Sequence, residues 1–295
     1  KLKERRKNTD KVLLKITHLL DKKYKNEWAF FKTIKPFSST PNDTDWFPFD
    51  TKKHKEMCDV LLENGFEFLE NAPLQLTLID KSGSGIANSD KRGGVWYIDC
   101  YRAPGADYFK YLDPKKMENY LERTVDNIKD LPILGSEAEL CAICFHNVFP
   151  EKTYSIESFY LILHYLLELE TNNKISNFVN AAKDNHVTKA ISVNFRLTAA
   201  LHLEHFGYVP EVLQKLIEEF DQCSYEEKYF KTEDCLPYNF SLKAFWSVFF
   251  EKLYDPISLK SLFVQFLHML NPIFFAGVVK IIWQRSKKGG IYKQM

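Results

Sequence analysis

Two aspartates stand two residues apart in Asp43-Thr44-Asp45, directly after the polar run Ser38-Ser39-Thr40-Pro41-Asn42. Read as the start of a strand over 43–49, the segment projects both carboxylates from one face. Carboxylates so close repel each other unless a cation lies between them. A third acid occurs in Tyr97-Ile98-Asp99-Cys100-Tyr101, where alternation puts Val95, Tyr97, Asp99 and Tyr101 on one face. If that strand lies beside the first, Asp99 completes a cluster with separations of about 4–6 Å, the range over which charges couple strongly. Oxygen ligands of this kind suit magnesium, or manganese in its place. Three carboxylates can hold two such ions, one activating an acceptor hydroxyl and one binding a triphosphate and its leaving pyrophosphate. An Asp99 on the opposite sheet face would end the three-carboxylate arrangement.

The elements that must position these acids are legible in outline. Val12, Leu13, Ile16, Leu19 and Leu20 have helical spacing, which predicts a helix over 10–25. The aromatic-rich stretch 28–34 reads as a strand. A helix is expected over 51–64, closed by Gly65. Strands are expected at 66–69, 74–79 and 95–102. The last two flank a loop containing Ser82-Gly83-Ser84-Gly85 and Arg92-Gly93-Gly94, as in a long antiparallel hairpin.

Beyond residue 135 the pattern changes. Ser136 and Glu139 fit a capping box opening an apolar helix, and Ser155 can cap the next. Helices are expected over 174–184, 187–206, 209–220 and 241–254. The apolar stretch 262–283 contains Gln265, His268, Asn271, Pro272 and Lys280, and reads as two buried helices meeting at the proline rather than a membrane span. The resulting expectation is an α+β chain: a mixed sheet with flanking helices over 1–135, then an all-helical domain over 136–295. A sheet of three or more strands in the second half would count against this two-part reading.

Composition narrows the function class. The 295 residues include 45% hydrophobic side chains, ample for a packed core. The 40 basic and 39 acidic residues nearly cancel, so overall charge does not indicate a nucleic-acid binder. The six cysteines form no regular framework, and residues 1–11 are charged and polar, so a reduced, cytoplasmic setting is expected. Cys141 and Cys144 read as buried thiols in a helix, not as half of a zinc site. His202-x-x-His205 lacks the spacing of a metalloprotease helix. The basic run 285–292 reads as a solvated tail.

The order of elements, from strand through polar turn, D-x-D strand, helix and hairpin to an aspartate on a strand, resembles the nucleotidyltransferase superfamily related to DNA polymerase β. Lys32-Thr33-Ile34-Lys35-Pro36-Phe37 followed by Asn42-Asp43-Thr44-Asp45 is similar to uncharacterised archaeal and bacterial nucleotidyltransferase-like proteins, as is Gly135-Ser136-Glu137-Ala138-Glu139-Leu140 through His146. The resemblance covers about residues 28–150. It implies a catalytic, metal-binding set of Asp43, Asp45 and Asp99 with two magnesium ions, and transfer of a nucleoside monophosphate from an NTP, such as ATP, to an acceptor hydroxyl. RNA, protein and small molecules are all open as acceptors. Where the family carries Gly-Ser, this chain carries Ser38-Ser39, which with Lys35 and Arg92 are the expected nucleotide contacts. Lys32 stands beside Lys35 as a further candidate for phosphate. The alternatives are a catalytically degenerate nucleotide-binding or regulatory module, and a toxin-like enzyme that modifies tRNA or a protein.

Overall fold

A computed structural model of the chain describes residues 2–36, 43–80, 96–124, 130–220, 230–231, 236–273 and 275–277. The chain folds as two compact units, residues 1–142 with 171–181, and residues 143–170 with 182–295.

The first unit opens with helix α1 (Leu2–Tyr24) and strand β1 (Trp28–Phe30). Strand β2 (Asp43–Pro48) and helix α2 (His54–Glu63) follow. Strands β3 (Glu67–Asn71), β4 (Gln75–Asp80) and β5 (Trp96–Tyr101) come next. A small hairpin, β6 (Gly105–Ala106) and β7 (Phe109–Lys110), and a short helix α3 (Pro114–Met117) lead to β8 (Leu121–Arg123) and β9 (Pro132–Leu134). Seven strands form one mixed sheet in the order β3-β4-β5-β2-β1-β9-β8. β2 runs parallel to β5 and antiparallel to β1.

Alternation along β2 and β5 sorts apolar from acidic side chains. Trp46, Trp96, Ile98 and Cys100 enter a core with Ile16 and Leu20 of α1 and Met57 and Leu61 of α2. The aliphatic members each contribute about 1.5–3 kcal/mol when fully buried. The intervening positions, Asp43, Asp45, Tyr97 and Asp99, fall on the other face because side chains alternate along a strand. Trp96 is held beneath the sheet by an indole N–H donated to Thr44 Oγ1 at 2.8 Å.

Two sequence expectations shift here. The strand at 28–34 stops at Phe30, because Lys32 adopts a left-handed backbone with φ of +56°. The helix expected from 51 starts at His54, since Asp50 first closes a turn by accepting the Lys52 N–H at 3.0 Å. Gly65 ends α2 with φ of +87°, a conformation glycine takes without strain. The hairpin expectation holds for β4 and β5, which pair antiparallel.

Helices α4 (Ser136–His146) and α6 (Ile175–Asp184) also lie in the chain after β9. In the second unit, Thr153–Tyr154 (β10) precedes α5 (Ile156–Thr171), α7 (Thr188–Phe206) and α8 (Glu211–Phe220). Phe230–Lys231 (β11) and Tyr238–Phe240 (β12) lead to α9 (Leu242–Lys252) and α10 (Pro256–Met269). Ser155 Oγ accepts the Ser158 N–H at 3.2 Å, and Gly207 closes α7 at φ of +77°.

The expectation of an all-helical second half is overturned. β10, β12 and β11 form a three-stranded antiparallel sheet, in strands of two to three residues, too short to leave a periodic signal in sequence. The expected burial of the apolar stretch at 262–283 also fails over its described part. Phe263, Phe266, Leu267, Leu270 and Ile273 are exposed. Among the described residues, no helix is long and apolar enough to cross a membrane.

Candidate metal centre

Parallel pairing of β2 with β5 sets Asp45 directly opposite Asp99 and Asp43 opposite Tyr97. Directly paired residues share a sheet face, so all three aspartates converge. One carboxylate oxygen from each of Asp43, Asp45 and Asp99 lies within 4.8 Å of the others. The all-oxygen donor set suits a hard divalent cation rather than a thiophilic one.

The neighbouring strand orients Asp99. Thr77 on β4 faces it and donates its hydroxyl to Asp99 Oδ1 at 2.7 Å. Gln75 in turn donates to Thr77 Oγ1 at 3.2 Å. On the core side, a His54 ring nitrogen lies 2.8 Å from the Cys100 carbonyl oxygen, fixing β5 next to Asp99.

Asp45 is held from the turn after β1. Thr33 Oγ1 accepts the Asp45 N–H at 2.8 Å, and the Phe31 N–H donates to the Asp45 carbonyl at 3.1 Å. Lys32 Nζ sits 3.0 Å from Asp45 Oδ2, with the two side chains only 13% and 11% exposed. The Phe31 and Tyr101 rings border the ammonium, with centroids at 4.7 and 5.4 Å. The Lys32 N–H donates to Glu139 Oε1 at 2.6 Å, while Glu139 Oε2 is buried without a hydrogen-bond partner.

These groups are poorly solvated, and their proton affinities follow. Burial pushes the Asp45 carboxyl up to about 7; Lys32 opposes the shift, and Asp43 and Asp99 reinforce it. Burial also raises Asp99, although its Thr77 bond pulls the other way. Burial lifts Glu139 to about 8 against the Lys32 N–H and ammonium. Burial works against the charge of Lys32, yet Asp45, Tyr101 and Tyr111 hold its pKa well above the ordinary lysine value. Asp45 and Asp99 are thus held close together and away from water, with the Lys32 ammonium beside Asp45, and a divalent ion among them would favour their charged forms.

Asp43, Asp45 and Asp99 are thus brought together. Lys35 is described, and its charge acts on Glu139. Ser38, Ser39 and Arg92 lie outside the described residues. Glu139 was the residue sequence reasoning misplaced. The capping box is not formed: Gly135 O accepts the Ala138 and Glu139 N–H groups, Ser136 lies inside the first turn, and the Glu139 carboxylate reaches Lys32 instead. Its signal in the sequence was indistinguishable from an N-terminal capping glutamate. Cys141 and Cys144 are buried free thiols, and His202 hands a ring nitrogen to the Tyr208 carbonyl at 2.7 Å. No protein-family model matches the chain, and no curated protein matches it either.

Proposed function

We propose that this chain is a metal-dependent nucleotidyltransferase, transferring a nucleoside monophosphate from an NTP to an acceptor hydroxyl with release of pyrophosphate. The observation that carries the reading is the convergence of three carboxylates from two adjacent parallel strands, each offering an oxygen within 4.8 Å of the others. Asp43, Asp45 and Asp99 would hold magnesium or manganese. Such an ion would supply Lewis acidity toward phosphate oxygens and would acidify an acceptor hydroxyl. The chain's own residues do the positioning: Thr77 orients Asp99, and Thr33 fixes the backbone of Asp45.

Under this reading, a different turn is the counterpart of the Gly-Ser turn of the nucleotidyltransferases that the sequence resembles. Lys32-Thr33 follows β1 after one residue, Phe31; Lys32 takes a φ of +56° that glycine adopts freely, and Thr33 is bonded to Asp45. This turn, rather than Ser38-Ser39, is the proposed counterpart. A lysine there brings a side chain where glycine would leave space for phosphate.

That side chain supports one alternative, a degenerate nucleotide-binding module, because its ammonium already neutralises Asp45. Incubating the protein with total RNA and total protein, each radiolabelled NTP in turn, and magnesium or manganese separates the two. Label transferred by wild type and lost in Asp43→Asn supports the enzyme and identifies nucleotide and acceptor together. NTP binding without transfer to any acceptor supports the module.

A further inference from the structure

We infer that the centre takes a single divalent cation, because Lys32 serves as its second cation. The inference rests on the metal-binding reading of Asp43, Asp45 and Asp99 and concerns how many ions they hold. Two-metal centres place their ions about 3.5–4 Å apart and share a carboxylate between them. Here Asp45 already shares its charge with an ammonium 3.0 Å away.

Lys32 is not a surface lysine that happens to fold inward. Its side chain is 13% exposed, and aromatic rings at 4.7 and 5.4 Å border the ammonium. Its backbone is set at φ of +56° and tied down by a 2.6 Å bond from its N–H to Glu139. For a lysine this left-handed conformation is costly, and it persists only where surrounding contacts impose it. Glu139 accepts the Lys32 N–H and so helps hold this turn, which makes it a positioning residue for the ammonium.

Charge and donors agree. Three carboxylates and one ammonium leave two negative charges, which one divalent ion neutralises. The described residues donate no side-chain hydrogen bond to the Asp43 carboxylate, and Asp99 receives Thr77 on Oδ1 with Gln75 beside it, so lone pairs remain on both for a ligand. A second divalent ion on Asp45 would have to evict the ammonium from its aromatic-lined position or sit against it. Lysine is a compact point charge without ligand-exchange chemistry. It can therefore hold Asp45 in place and offset developing negative charge, but it cannot acidify a bound hydroxyl.

The test counts ions. Metal-free full-length protein is equilibrated with Mn2+, and bound ion per chain is measured by equilibrium dialysis and by loss of the free-ion paramagnetic resonance signal. The expected result is one Mn2+ per wild-type chain, one in Lys32→Arg, and two in Lys32→Met, with Asp43→Asn abolishing binding. Two ions on wild type, or one on a folded Lys32→Met chain, would overturn the role of Lys32 while leaving the metal site intact. Should Lys32→Met fail to fold, Lys32→Gln takes its place with the same expectations. No Mn2+ on wild type would overturn the metal reading itself, and this inference with it.

Discussion

Two buried lysine–aspartate pairs in this molecule behave in opposite ways. In the second unit, Lys252 Nζ lies 2.7 Å from Asp255 Oδ2, and the lysine side chain is fully buried. Lys252 also donates to the Asn185 carbonyl at 2.5 Å, while Ser258 Oγ and the Ile257 N–H donate to Asp255. Burial works to raise Asp255, but Lys252, Ser258 and Ile257 together hold it below the ordinary carboxylate value. In the first unit, Lys32 alone faces Asp45 with Asp43 and Asp99 close by, and Asp45 rises to about 7. The first pair is saturated with donors and caps α10. Burial, reinforced by the neighbouring Asp43 and Asp99, is what raises Asp45, and a carboxylate perturbed in this way is why the centre is proposed as a binding site rather than a structural tie.

The contrast can be broken most sharply by removing one carboxylate from each pair. Asp45→Asn is expected to lower Mn2+ affinity at least tenfold (about the loss typical of even outer-shell changes), with Asp255→Asn leaving it unchanged. A titration that finds equal affinities in both variants would erase the distinction. Asp255→Asn should instead destabilise the fold by about 3–5 kcal/mol, the range for stranding one partner of a buried pair. Urea unfolding measures this, and a change under about 1 kcal/mol would show the pair to be ordinary surface electrostatics.

The two pairs should also differ in the sign of their pH dependence. Glu139 has a folded pKa near 8, above its ordinary 4.5, so the native state keeps a proton that the unfolded chain loses in between. Native stability therefore falls as pH rises from about 4.5 to 8, and Asp45 adds a similar fall up to about 7. Asp255 acts oppositely: its contribution is present above its unfolded value of 3.8 and is lost as pH falls through its lowered folded pKa. Metal-free Glu139→Gln should thus flatten the loss of thermal stability between pH 5 and 9, by up to a few kcal/mol at pH 9. Adding Mn2+ should flatten it in wild type as well. A wild-type melting curve that rises across that range would contradict the assignment.

The smallest expected effect is at Thr77. Thr77→Val removes the 2.7 Å bond to Asp99, at a cost of about 1 kcal/mol in Mn2+ binding, read by calorimetry. Binding lost altogether would mean that Thr77 does more than orient Asp99.

The sequence by itself determined the strands that carry Asp43, Asp45 and Asp99 and the face from which each projects, because alternation is a local property that three or four residues suffice to display. It likewise placed the helices from 156 to 252 through their caps and apolar spacing. What it left undetermined was partnership. That β2 lies parallel to β5, bringing Asp45 opposite Asp99, depends on a crossover through α2, β3 and β4 that no local pattern specifies. Strands of two or three residues, such as β10 and β11, carry too few positions to show a period, so the second sheet was invisible. Lys32 and Glu139 are 107 residues apart, and their hydrogen bond exists only because tertiary packing forces Lys32 into a left-handed conformation that lysine does not favour alone. Residue type and spacing announced that acids would gather on a sheet face; only the folded chain decided that a lysine would be waiting among them.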